Sequence, residues 1–187
     1  LIEKHAFAVG NSNAYTKETP NITLEDVCLE MSSYGKGDIR DPFIEVIHKD
    51  GSYTSDFLFA DAVISKGKEA YETLPGSYDE NGNVEHLCVI LKDAQYDLTL
   101  ELHYFVYEDC DVITRSAKFI NTSADKVVLN RMMSMQIDFA NPEFTVSTFN
   151  GAWGREMKRT DTPVRIGKVV NSSYTGTSSN RANPFIM

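Results

Sequence analysis

Residues 150–156 read Asn-Gly-Ala-Trp-Gly-Arg-Glu, and Trp153 is the only tryptophan in the chain. An indole face stacks well on the C–H face of a pyranose ring. A guanidinium beside a carboxylate, Arg155 and Glu156, offers charged hydrogen bonds to ring hydroxyls or to a neighbouring loop. A lone tryptophan in a β-rich chain also serves as a core or interface anchor, so position alone leaves both a sugar platform and a packing anchor open. On a tight, glycine-flanked loop, Arg155 and Glu156 can lock the backbone by charge-assisted hydrogen bonds and so fix the orientation of the indole.

Other polar residues suggest less chemistry. Asp38 and Arg40 straddle Ile39 and project to one side of an extended segment, where they pair with partners on one surface. With Pro42, Arg40 is expected to fix the approach to the first long strand rather than to touch a ligand. His5, His48, His86 and His103 show no HxxH or HxH spacing, so no metal site is expected. Cys28, Cys88 and Cys110 are an odd number at wide spacing with no CxxC pair, which reads as buried free thiols in a reducing, cytoplasmic compartment. The sequons at Asn21, Asn121 and Asn171 have no secretory context to give them meaning.

Composition narrows the classes further. The chain has 187 residues and 42% hydrophobic content, enough for one well-buried domain. A net charge of −9 without a run of Lys or Arg argues against nucleic acid and against anionic membrane surfaces, and is compatible with a neutral sugar. No apolar run is long enough to span a bilayer, and the N-terminus lacks the pattern of a signal peptide. The chain starts at Leu1 without a methionine and stops at Met187 just after Asn-Pro-Phe, so both ends read as cuts from a longer protein.

The elements that must position these residues are strands. Residues 1–40 read as a loop-rich lead-in. Thr23 ahead of Asp26 is spaced as a capping box, with Leu24, Val27, Cys28 and Met31 at helical spacing, which fits either one short helix or an irregular segment. From Phe43 the period becomes two. Phe43–His48 and Tyr53–Ala60 flank Lys49-Asp50-Gly51-Ser52 as an expected hairpin. Leu98, Leu100, Leu102, Tyr104 and Val106 share one face, as do Val127, Leu129, Met133, Met135, Ile137 and Phe139 on a second long alternation. Further strands are expected over 62–66, 86–91, 112–121, 144–149 and 164–171. Strands separated by Asp-Gly, Asn-Gly and Asn-Pro turns, without helical runs, predict an all-β, antiparallel, two-sheet β-sandwich.

Five segments then fall in a familiar order: Tyr34-Gly35-Lys36-Gly37-Asp38-Ile39-Arg40-Asp41-Pro42; Tyr71-Glu72-Thr73-Leu74-Pro75-Gly76-Ser77-Tyr78; Asp111-Val112-Ile113-Thr114-Arg115-Ser116; Gly151-Ala152-Trp153-Gly154-Arg155-Glu156; and Ser178-Ser179 leading to Asn183-Pro184-Phe185. In this order they resemble the N-terminal domain of glycoside hydrolase family 36 α-galactosidases. That resemblance implies a galactose-mutarotase-like "supersandwich" spanning 1–187, followed after 187 by a catalytic (β/α)8 barrel. It implies no catalytic residue here: the family's nucleophile lies in a Lys-Trp-Asp segment, and none occurs in this chain.

The resemblance assigns Trp153 to the neighbourhood of bound galactoside. It also places an acid near the sugar ahead of an Arg-Ala-Phe segment. Here that region reads Glu3-Lys4-His5-Ala6-Phe7, so Lys4 and His5 depart from the pattern and Glu3 is the substitute candidate. Asn180-Arg181 stands where many family members have a histidine, on a loop expected to meet the barrel. The implied partners are an α-galactoside, the protein's own barrel and further copies of itself, commonly as a tetramer, with no cofactor. A stand-alone carbohydrate-binding module and a purely structural or oligomerisation domain are the competing readings. A single Trp is meagre for the former.

Overall fold

The computed structural model describes residues 22–24, 27–35, 38–68, 70–175 and 181–187. They form nine strands: β1 Ile44–Ile47, β2 Leu58–Lys66, β3 Glu85–Asp93, β4 Leu98–Tyr107, β5 Val112–Asn121, β6 Val128–Met132, β7 Thr145–Ala152, β8 Arg155–Pro163 and β9 Ala182–Ile186. Their ladders are antiparallel and give three sheets, ordered β1-β6, β2-β3-β4-β5 and β8-β7-β9. The chain divides into two compact units, Leu1–Asp138 and Phe139–Met187. Among the described residues no helix is long and apolar enough to cross a membrane.

In the first unit the β-sandwich expected from the alternation is present. Phe43, just ahead of β1, and Ile44 and Val46 from the two-stranded sheet pack against Leu91, Leu98, Leu100 and Leu102 from the four-stranded sheet. Leu98, Leu100 and Leu102 alternate inward as the period of two requires, and burial of such side chains contributes ~1.5–3 kcal/mol each. Asp93 closes this layer at the β3–β4 turn. Although buried, its carboxylate accepts from the backbone N–H groups of Asp56 at 2.8 Å, Gln95 at 2.9 Å and Tyr96 at 3.2 Å. A buried carboxylate so satisfied costs little and pins the turn.

Several expectations need correction. The Lys49–Ser52 turn forms, with Gly51 N–H donating to His48 O at 2.9 Å and Gly51 at φ +81, but it closes no hairpin. Instead β1 pairs with β6 in the register Ile44↔Met132 to Ile47↔Val128, and residues 53–57 run without a ladder until β2 begins. The segment 62–66 is the end of β2, not a separate strand. No strand occupies 164–171, where Ile166, Val169 and Val170 are exposed; the strand is β8, just before it. Among the described residues near Thr23 there is no α-helix, only a tight turn from Val27 N–H to Leu24 O at 3.3 Å; Asp26 lies outside the described residues.

The alternation over 127–139 fails most usefully. Only Val128–Met132 is a strand, and Met133, Met135, Ile137 and Phe139 are exposed. The polar set is the anchored one: Gln136 Oε1 accepts from the Ser32 hydroxyl at 2.8 Å, and Asp138 accepts from Leu29 N–H at 2.8 Å and from Arg40 at 2.8 Å. Fixing the lead-in by these bonds takes the backbone out of the ladder. Period two identifies alternate faces but not which face turns inward. The thiols also differ from expectation: all three are free, but Cys28 and Cys110 are exposed and only Cys88 is buried.

His48, on the turn after β1, gives the fold a pH dependence. Its ring is buried, stacks on Tyr96 with centroids 3.6 Å apart and has Nε2 2.9 Å from Ser55 Oγ. Burial lowers its pKa below the ordinary 6.5, against the opposing pull of Asp93 and Asp50. The unfolded chain therefore takes up this proton first as pH falls. The stability His48 contributes is complete above the unfolded pKa of about 6.5 and is lost as pH falls from there through the folded pKa. Thermal unfolding at pH 7.5 and 5.5 should show a larger drop in Tm for the native sequence than for His48→Gln. Equal drops would remove His48 from the account.

Candidate functional site

In the second unit, β7 and β8 make a hairpin whose closing pair is Ala152↔Arg155, leaving Trp153-Gly154 as a two-residue turn. Gly154 has φ +72 while Trp153 is not in the positive-φ region, the sign pattern of a type II turn, in which a glycine at the second central position avoids strain. Glu156 Oε1 accepts from the Gly154 N–H at 2.7 Å and holds the turn. Just behind it, the register Asn150↔Lys158 to Ala152↔Arg155 sets Gly151 opposite both Glu156 and Met157, a β-bulge with Met157 at φ +59. Such a bulge bends the strand and re-aims the tip. A Cβ on Gly151 would overlap the Arg155 carbonyl oxygen, so this close approach requires glycine.

The base of the hairpin is clamped by the end of the chain. β9 pairs with β7 at Thr148↔Ile186 and Asn150↔Ala182, and Ser147 and Met187 exchange backbone bonds of 2.7 and 3.1 Å. Phe149 stacks on Phe185 at 4.5 Å, and Asn183 Nδ2 donates to Phe149 O at 3.0 Å. Ser147 Oγ donates to Asp161 at 2.6 Å. Arg159, at 2.6 Å, and then Ser147 hold the Asp161 carboxyl below the usual range. A rigid base and a bulged neck thus present Trp153, 91% exposed, at the tip. Within this unit the indole is offered outward.

Of the other sequence-selected residues, Arg155 closes the ladder through its backbone, but its side chain makes no hydrogen bond or ion pair to a described residue, so among the described side chains it is Glu156 that ties the turn. Asp38 and Arg40 belong to the first unit and face each other: Arg40 Nε and Nη2 grip Asp38 at 3.1 and 3.0 Å. The same guanidinium reaches Asp138 at 2.8 Å, Leu24 O at 2.9 Å and Val27 O at 3.2 Å, which raises its pKa, mainly through Asp38. This knot ties the lead-in ahead of the buried Pro42 and β1. Glu3, Lys4, His5 and Asn180 lie outside the described residues.

The structure also joins residues that spacing along the chain keeps apart. His86 Nε2 lies 2.9 Å from His103 Nδ1 on adjacent strands, with Cys88 opposite His103 in the β3–β4 register. Burial lowers the pKa of His103 and raises that of Cys88.

Comparison with known proteins decides the family. The model of the glycosyl hydrolase family 36 N-terminal domain matches residues 2–187. The chain belongs to this family. Alpha-galactosidase AgaA of Geobacillus stearothermophilus is 36% identical over 165 residues, covering 88% of this family 36 chain and 23% of AgaA. The crystal structure of AgaA superposes with a TM-score of 0.90 at 33% identity, over 99% of this chain and 25% of that one. A variant of AgaA in complex with raffinose gives a TM-score of 0.90 over 100% of this chain and 26% of that one. This family 36 domain therefore spans about a quarter of the length of these relatives.

Proposed function

We infer that this chain is the non-catalytic N-terminal domain of a longer retaining α-galactosidase, in which Trp153 forms part of the wall of the galactoside pocket. The observation that carries the reading is the exposed indole on a bulged, clamped hairpin in a family 36 domain. Association of an indole with a sugar needs the indole fixed before the ligand arrives, since ordering it afterwards would cost affinity. The Glu156 bond to the turn and the glycine at 151 supply that preorganisation. Raffinose and stachyose, bound by AgaA variants, set the expected substrate class: oligosaccharides ending in α-galactose.

The two carboxyl groups of the retaining reaction, about 5 Å apart across the scissile bond, are assigned to a barrel outside this chain. Assembly into a homo-oligomer and a cytoplasmic location belong to the same proposal; the free cysteines support the latter.

The isolated chain should therefore show no turnover of p-nitrophenyl α-galactoside, whereas the longer protein carrying it should release galactose initially as the α-anomer, read by NMR. Turnover by the pure chain alone would overturn the domain assignment. Because an exposed tryptophan also suits a stand-alone carbohydrate-binding module, calorimetry of the isolated chain with melibiose separates the two. The pocket reading expects no measurable binding there, since one indole is only one wall.

A further inference from the structure

The outer face of the four-stranded sheet, opposite the leucine core, carries a cluster that the sugar chemistry does not use. Cys88 on β3 sits directly across from His103 on β4, and Glu101 lies two residues before His103 on the same face. Cys88 Sγ, a Glu101 carboxylate oxygen and a His103 ring nitrogen all lie within 4.8 Å of one another. A tetrahedral ion with bonds of ~2.0–2.3 Å spaces its ligands ~3.5 Å apart, so side-chain adjustments of about 1 Å complete the geometry. Cys88 is buried and the other two are half-buried, leaving one side open to solvent for a fourth ligand such as water.

The second histidine strengthens the case. His103 Nε2 lies 3.4 Å from Glu101 Oε2, His103 Nδ1 lies 2.9 Å from His86 Nε2, and His86 Nδ1 lies 3.0 Å from Ser65 Oγ. This row of groups can run in two directions with both rings neutral. In one, His103 Nε2–H donates to Glu101. In the other, His103 Nδ1–H donates to His86, His86 Nδ1–H donates to Ser65, and the Nε2 lone pair of His103 faces Glu101. The second direction is the arrangement by which a partner on the far nitrogen orients a metal-binding imidazole.

We propose that Cys88, Glu101 and His103 bind a zinc-class divalent cation on this face, with His86 and Ser65 setting the tautomer of His103. On binding, the Cys88 S–H bond breaks, its proton leaves to solvent and the thiolate donates a lone pair to the ion. Thiolate and carboxylate together neutralise the two positive charges. Thiolate with imidazole selects zinc-like ions over magnesium or calcium, which prefer all-oxygen sites. Lys118, 3.3 Å from Glu101 Oε2 and largely exposed, yields that oxygen by swinging into solvent.

Cobalt(II) is the probe, because a cobalt–thiolate bond adds a near-ultraviolet charge-transfer band. Titrating the chain with Co2+ should produce this band at one equivalent, and Zn2+ should abolish it by displacement. Cys88→Ser and His103→Gln should each remove the band, while Cys28→Ser and Cys110→Ser should leave it unchanged. His86→Gln should keep the band but weaken Co2+ binding about tenfold to a hundredfold. Circular dichroism verifies that each variant is folded, and His103→Gln stands in if Cys88→Ser is not. A native chain without the band, or a band that persists in a folded Cys88→Ser or His103→Gln variant, overturns the proposal.

Discussion

Replacing Arg40 with alanine should destabilise the first unit by roughly 3–5 kcal/mol, the cost of breaking a buried ion pair from one side. The Asp38 side chain is 1% exposed and takes two bonds from the Arg40 guanidinium. Without that fork its charge keeps, among the described residues, only the Arg40 backbone N–H, at 3.0 Å. The carbonyls of Leu24 and Val27 and the Asp138 carboxylate lose a donor as well, so the lead-in and the segment after β6 come loose together. Arg40→Lys should recover only part of the loss, because an ammonium cannot reproduce a planar two-pronged grip. The informative variant is Arg40→Ala combined with Asp38→Ala, which removes the stranded charge and should be more stable than Arg40→Ala alone. Urea unfolding measures all of these. A loss below ~1 kcal/mol for Arg40→Ala would mean a solvent-screened surface pair and would refute the knot.

Leu100→Ala should cost ~2–5 kcal/mol, toward the upper end of that range. Leu100 is 0% exposed and sits in the cluster with Phe43, Ile44, Val46, Leu91, Leu98 and Leu102. The cavity cannot easily collapse, because β4 is held by full ladders to β3 on one side and β5 on the other. Leu58→Ala makes the contrast: Leu58 lies on the edge strand β2 and is half exposed, so the same deletion there should cost under ~1 kcal/mol. The comparison is read from unfolding midpoints in one buffer. Similar costs at the two sites would show that the core has been misplaced.

Local chemistry was legible in the sequence wherever one element decided the outcome. The β4 alternation gave the inner face at Leu98, Leu100 and Leu102 but not at Val106, which is exposed while Phe105 beside it is buried, and β5 matches its expected range of 112–121. What was not legible depends on partners far along the chain. The Lys49–Ser52 turn carries every hairpin signal, yet β1 finds β6 about eighty residues later. The alternation after Val127 has the right period and the opposite sense, because Gln136 and Asp138 bind a lead-in whose position no local pattern reveals.

The site follows the same division. The tight glycine turn around Trp153 could be read from its residues, whereas the bulge at Glu156 and Met157 could not, since a bulge is a property of register. The order of the five segments identified the family. In the structure several of them carry structural contacts: Asp38 and Arg40 form the knot, Tyr71 OH meets Ser116 Oγ at 2.6 Å, and Arg115 donates to Gln136 O at 2.9 Å and to Glu30. Glu30 and burial together push the neighbouring Tyr104 phenol up to about 12, with burial the larger cause. Among the described residues, His86 meets His103 only across a strand pair, so a search for HxH or HxxH spacing could not have found them.

The most direct test of the central claim is kcat/KM for an α-galactoside with Trp153→Ala in the longer enzyme, with Tm measured on the same variant. An exposed indole on a turn contributes little to folding, so stability should change by no more than ~0.5 kcal/mol. If the indole is one wall of the pocket, kcat/KM should fall about tenfold or more, equivalent to ~1.4 kcal/mol of lost transition-state binding. Unchanged kinetics alongside a collapsed or dissociated protein would contradict the account and make Trp153 a packing anchor.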